Sequence, residues 1–152
     1  MPKYRCVVAI PTRELFSGEI DYANIPGSIG YMGVLSNHEN YVGMNRTGML
    51  TLWLDPEGKE RKEFLISGGF TQVLNNHLSV LPRFGCTLDS IDVDEVKAKI
   101  ETLKADIEEA EAKMAGEEDP VEDTIFETSL RTMKLCLGWY ETKVKAKTEG
   151  VI

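Results

Sequence analysis

From Tyr4 to Leu88, apolar positions come in short runs separated by turn-forming residues. CVVAI ends at Pro11, EIDYANI at Pro26-Gly27, GVL follows Gly33, and MLTLWL precedes Asp55-Pro56-Glu57-Gly58. The stretch FLISGGFTQVLNNHLSVL, Phe64 to Leu81, holds three such runs around Gly68-Gly69 and Asn75-Asn76. Its branched and aromatic residues fit a pleated surface and its dipeptides form turns, which predicts three strands of a tight antiparallel meander. Phe64 with Ile66, Thr71 with Val73, and Leu78 with Val80 would each share a face. The alternate positions are not uniformly polar, so both faces are expected to be covered by protein. A turn at Ser17-Gly18, within LFSGEI, is expected between the first two strands. Short strands at regular spacing predict an antiparallel β-sandwich or barrel.

After Ser90 the period changes. Val93, Val96, Ile100, Leu103, Ile107, Ala110 and Met114 follow one another at alternating helical spacings, a heptad seam. Asp92 is placed to cap this helix, with Glu95 completing a capping box, and Gly116 and Pro120 mark its far end. A second seam follows at Phe126, Leu130, Met133, Leu137, Tyr140 and Val144, after the link AGEEDP. Two matched seams across a short link predict an antiparallel helical hairpin. Its seams are short and Gly138 interrupts the second, so the hairpin is expected to be weak by itself and able to detach or repack. The fold class is therefore α+β, with a sandwich domain over residues 1–90 and a two-helix hairpin over 91–152.

Composition narrows the function classes. The chain has 152 residues and a formal net charge of -8, an unfavourable balance for nucleic acid, whose phosphates require a basic face. No apolar run approaches the roughly 20 residues needed to cross a bilayer, and the start MPKYRCVVAIP is unlike a secretory or transit peptide. The three cysteines, Cys6, Cys86 and Cys136, have no metal-binding spacing. They read as free thiols in a reducing compartment. His38 and His77 are the only imidazoles, and neither has a ligand at helical spacing, so no metal is expected.

Candidate chemistry is thin. Gly27, Gly30 and Gly33 are spaced GxxGxxG, not as a dinucleotide fingerprint, and fit bends between strands. His38-Glu39 lacks a nearby nucleophile, and no serine has a nucleophile-elbow context, so no catalytic residue is expected. The first helix is acidic. The second grows basic from Arg131 onward through Lys134, Lys143, Lys145 and Lys147, which suits attraction between the helices or docking on an acidic partner.

Four motifs together carry a resemblance: ELFSGE, PGSIGYMGVLSNH, FLISGGFTQVLNNHLSVL and DVDEVKAKIE. In order and spacing the chain resembles the epsilon subunit of rotary F-type ATP synthases over residues 4 to about 110. The resemblance implies a ten-stranded sandwich followed by two helices, standing with the gamma subunit above the membrane c-ring. It implies no catalysis. It implies a central-stalk rotor subunit that couples proton- or sodium-driven rotation to ATP synthesis in the alpha and beta subunits, and that inhibits ATP hydrolysis through its helices.

By the same resemblance Ser28, Ile29, Gly30, Tyr31, Met32 and His38 are candidates for the c-ring interface. Arg131 and Lys134 are candidates for regulatory contacts with beta. Some members bind ATP through an acidic-then-basic pattern that would fall on Asp94 and Lys97, with Arg131 on the second helix. Lys97 in place of an arginine loses the bidentate fork, and no cofactor is expected. The expected partners are gamma, the c-ring, alpha and beta, with no nucleic acid. Membrane association would come only through the complex, at the cytoplasmic face of the cell membrane. The alternative is a free-standing sandwich adaptor that binds a protein partner through its coiled-coil arm.

Overall fold

The computed structural model describes residues 2–115 and 124–149. The chain divides between Ser90 and Ile91 into two compact units. The first unit holds ten strands: β1 Tyr4–Ile10, β2 Arg13–Ile20, β3 Tyr22–Gly27, β4 Gly30–Val34, β5 Tyr41–Met44, β6 Gly48–Trp53, β7 Arg61–Ser67, β8 Phe70–Leu74, β9 His77–Leu81 and β10 Phe84–Cys86. They form two five-stranded sheets, ordered β2-β1-β9-β8-β5 and β10-β7-β6-β3-β4. All pairings are antiparallel except β1 with β9, which run parallel with Cys6 opposite Leu78. Alternate residues of both sheets point inward, and Val8, Ile20, Leu50, Leu52, Ile66 and Val80 are fully enclosed between them.

Two local expectations are corrected. Phe64–Leu81 is not a meander. β7 pairs with β6 and β10 in one sheet, whereas β8 and β9 belong to the other. Gly68-Gly69 is the crossing between sheets, with φ of 71° and 69°. A Cβ at Gly69 would stand 2.0 Å from the carbonyl oxygen of Leu81, so only glycine fits. Asn75 and Asn76 do form a hairpin turn, both with positive φ, as a two-residue loop requires. The second correction concerns Ser17-Gly18, which lie inside β2; the chain turns instead at Pro11-Thr12, where Ile10 pairs with Arg13. Gly18 pairs with Cys6 in the ladder, and the Phe16 ring covers the space a side chain there would take.

The second unit contains α1, Val93–Ala115, and α2, Thr124–Thr148. Asp92 caps α1 as expected, its Oδ1 accepting from the backbone N–H of Asp94 at 3.1 Å and of Glu95 at 3.3 Å. Glu95 does not close a box with it but pairs with Lys99 one turn on. Val96, Ile100, Ile107 and Ala110 of the predicted seam are buried. On α2, Leu130, Met133, Leu137, Tyr140 and Val144 are half-buried, while Trp139 and Ala146, off the seam, are buried. The stripe of α2 is thus wider than a two-position seam. Gly116 and Pro120, and the side chains of Met114 and Phe126, lie outside the described residues.

Candidate functional site

The hairpin between β3 and β4 is built to present its tip. Gly27 pairs with Gly30, whose φ of 140° favours glycine, and Ser28-Ile29 form the turn. Ile29 is 98% exposed. The Ser28 N–H donates to the Met44 carbonyl at 3.0 Å and the Arg46 N–H to the Pro26 carbonyl at 2.9 Å, fastening the tip to the end of β5. Tyr31 is partly committed: its hydroxyl accepts from the Met49 N–H at 3.2 Å, and the Arg46 guanidinium stands 5.0 Å from its ring. Met32 packs against the core.

His38 is not beside this tip. It lies past the other end of β4, a strand that spans about 16 Å, in a loop tied to the β8–β9 turn. There the Asn37 N–H donates to Asn76 Oδ1 at 2.6 Å and the Asn75 N–H to Asn40 Oδ1 at 3.0 Å. His38 Nδ1 sits 2.7 Å from the Glu39 carbonyl. The six residues named for a ring interface therefore fall at two ends of one strand, and only Ser28, Ile29 and part of Tyr31 are offered outward together.

Beside the tip is a surface that sequence reasoning did not single out. Val42 and Met44 on edge strand β5 are 69% and 62% exposed, and Phe70 and Leu74 on β8 are 40% and 46% exposed. Met44 pairs directly with Phe70, and Val42 with Gln72. These side chains share the outer face of the sheet, opposite inward-facing Thr71 and Val73. The expectation that protein covers both faces of this stretch fails within the chain itself: the outer face of β8 is open. The Ser28–Met44 bond brings the tip that bears Ile29 beside the end of β5, so exposed apolar residues stand on adjoining elements from the hairpin tip to β8. Apolar patches of this kind mark binding surfaces. The signal was present in YVGM and FTQVL, where apolar residues occupy both alternating sets.

Between α1 and α2 runs a groove of about 550 Å³, lined by Leu103, Met133, Cys136 and Tyr140 with Glu95, Lys99 and Asp106 among its polar residues. None of Asp94, Lys97 and Arg131 lines it. Its one cation, Lys99, lies 3.3 Å from Glu95. A groove with two carboxylates and a single paired lysine does not suit nucleotide phosphates. Lys134 is held 3.0 Å from Glu111 across the helices, whereas Arg131 is exposed.

Other reactive groups are withdrawn into the fold. Burial pushes the Cys6 thiol up to about 12, leaving it protonated at neutral pH. The Tyr4 hydroxyl, also raised by burial, donates to the Val34 carbonyl at 2.6 Å. Among the described residues no group of three or more His, Cys, Asp or Glu could hold a metal, and no helix is long and apolar enough to cross a membrane.

The family model of the ATP synthase delta/epsilon chain β-sandwich domain matches residues 3–83. The chain belongs to the ATP synthase epsilon-chain family. It is 34% identical over 103 residues to the ATP synthase epsilon chain of Leptospira borgpetersenii serovar Hardjo-bovis, covering 67% of this chain and 79% of that one. To the epsilon chain of Parvibaculum lavamentivorans it is 36% identical over 100 residues, covering 66% and 74%. Its fold is similar to that of a chain in the Euglena gracilis mitochondrial ATP synthase structure that comprises OSCP, F1 and c-ring. The TM-score is 0.57 at 20% identity, covering 93% of this chain and 80% of that one. In this epsilon-family chain, the family model thus spans the hairpin tip, β5 and β8 and stops short of the helices.

Proposed function

We propose that this protein is a central-stalk subunit of an ion-driven ATP synthase. In this reading it couples c-ring rotation to ATP synthesis in alpha and beta, and its helices restrain ATP hydrolysis. The observation that carries the reading is the set of exposed apolar residues Ile29, Val42, Met44 and Phe70 on adjoining elements of a sandwich of the epsilon-chain family. Such residues suit a subunit that must stay gripped by its partners, because packed apolar anchors supply most of the binding energy of an interface. The tip bearing Ile29 is offered to the c-ring, and the β5–β8 face to gamma. Attachment is peripheral, at the cytoplasmic face of the cell membrane and through the complex. The helices suit a regulatory part because a shallow seam allows two packings of similar free energy.

Copurification tests the docking surface. The chain is expected to come down with alpha, beta and gamma, and a Met44→Glu, Phe70→Glu variant to be lost from the complex while remaining folded. A free-standing adaptor would come down with none of them. Deleting residues 91–152 is expected to raise ATP hydrolysis by the assembled enzyme, and unchanged hydrolysis removes the regulatory part of the proposal.

A further inference from the structure

The two open sides of the sandwich are unlike. On one, the end of β3 and the β3–β4 turn are joined to the end of edge strand β5 by the Gly27–Asn45 bridge and the bonds from Ser28 and Arg46. On the other, edge strands β2 and β10 meet only in part. Leu15 and Ile10 close over Gly85, where an added Cβ would stand 2.8 Å from Leu15 Cδ1 and 3.2 Å from Ile10 Cγ2. Beyond that point β10 ends. It pairs with Leu65, Ile66 and Ser67 of β7 and goes no further as a strand; the chain continues as a short helical turn, Leu88–Ser90, that stays against β7. Among the described residues Arg61–Phe64 keep their ladder to β6 and pair with no strand on the opposite edge, which the Leu88–Ser90 turn flanks in part. Along that edge lies a cleft of about 690 Å³, with Leu15, Phe16, Phe64 and Leu88 as its apolar lining.

The charges of the cleft are specific. Lys59, Arg61 and Lys62 line it with Glu63 and Asp89, one excess positive charge in a chain of net -8. Lys59 pairs with Glu57 at 2.5 Å. Arg61 donates to the Gly58 carbonyl at 2.5 Å and stands 5.3 Å from the Trp53 ring. Lys62 has no ion pair among the described residues. Strand alternation puts Lys62 on the same face of β7 as Phe64 and Ile66, while Arg61 and Glu63, which also line the cleft, stand on the alternate face of the strand.

We propose that this cleft is a second docking site, which receives a short extended segment of a protein partner as an added strand beside Arg61–Phe64. The committed pattern is an acidic residue facing Lys62 and, two positions away on the same face, an apolar residue packing on Phe64, Phe16 and Leu88. Strand addition uses the main-chain groups of the free edge for affinity and the alternate side chains for selection. The site stands on the opposite side of the sandwich from the β5–β8 face and does not depend on the function proposed for it.

The test is an amide NMR titration of the full chain with the peptide acetyl-TETVT-amide and its counterpart acetyl-TKTVT-amide. The acidic peptide is expected to shift the amides of Arg61–Phe64 and Leu88, and the basic one to bind about tenfold more weakly, as an unlike against a like charge requires. Lys62→Glu is expected to reverse that preference, with the remaining spectrum unchanged as the check on folding. Equal binding of both peptides, shifts scattered over surface lysines, no binding at millimolar peptide, or a preference untouched by Lys62→Glu would each overturn the proposal.

Discussion

The sandwich and the helical pair bury their apolar residues in different ways. Between the two sheets Cys6, Val8, Ile20, Val34, Leu50, Leu52, Ile66 and Val80 are wholly enclosed, whereas the buried seam of α1 leaves Val96, Ile100, Ile107 and Ala110 at 5–9% exposure. The cause is geometric. A side chain between two five-stranded layers is covered by its own sheet's neighbours and by the facing sheet. One on a two-helix seam is covered by a single partner helix and is open at both flanks. The wide groove over Leu103, Met133 and Tyr140 is one such flank. A tightly enclosed core has one good solution and punishes change, and a flanked seam has several and tolerates it.

The largest break of that contrast is expected at Gly69. Its positive φ and the Leu81 carbonyl at 2.0 Å from any Cβ leave no room to relax without pulling the start of β8 from the end of β9. Gly69→Ala is expected to lower sandwich stability by about 3 kcal/mol or more in urea unfolding, the upper range for strained backbone with a steric clash added. A loss below about 1 kcal/mol would show that the sheet crossing is as adaptable as the helix seam.

The same dipeptide shows where sequence reasoning stops. Residue alternation in FLIS, FTQVL and HLSVL marked all three strands and the residues that share a face in each, because side-chain period is a local property. It could not show which sheet each strand joins. A glycine pair permits a hairpin and a crossing alike, and the choice is made by β7 finding β6 and β10 in the other sheet. β10 was missed because its three residues are too few for a periodic signal. The site was half legible. Ile29 was named only as one of six residues implied by the resemblance, and the apolar residues of YVGM and FTQVL, though visible, did not tell an open face of β5 and β8 from a buried one, since only the absence of a covering layer differs.

A glycine of opposite meaning sits on α2. Nothing lies within 4 Å of a Cβ built on Gly138, and its backbone is helical. Gly138→Ala is expected to stabilise the helical unit by about 1 kcal/mol, from helix propensity and the smaller entropy of the unfolded chain. Thermal unfolding followed by helical circular dichroism checks it. If the helices act by repacking in the assembled enzyme, the same variant should also shift the balance between bound and released helices, which hydrolysis assays would read.

The smallest effect tests whether the helix pair is fastened by charge. Lys134 and Glu111, 3.0 Å apart, are 55% and 50% exposed, so solvent screens the pair and two long side chains lose freedom in making it. A double-mutant cycle with Lys134→Ala and Glu111→Ala is expected to give a coupling of about 0.5 kcal/mol, fading at high salt. Such a bond is too weak to hold Lys134 against a stronger acidic surface. In the proposed function this is what releases Lys134 for beta while Glu111 returns to water. A salt-insensitive coupling above about 2 kcal/mol would instead make the ion pair a latch, and the helical unit a more single-valued structure than its flanked seam implies.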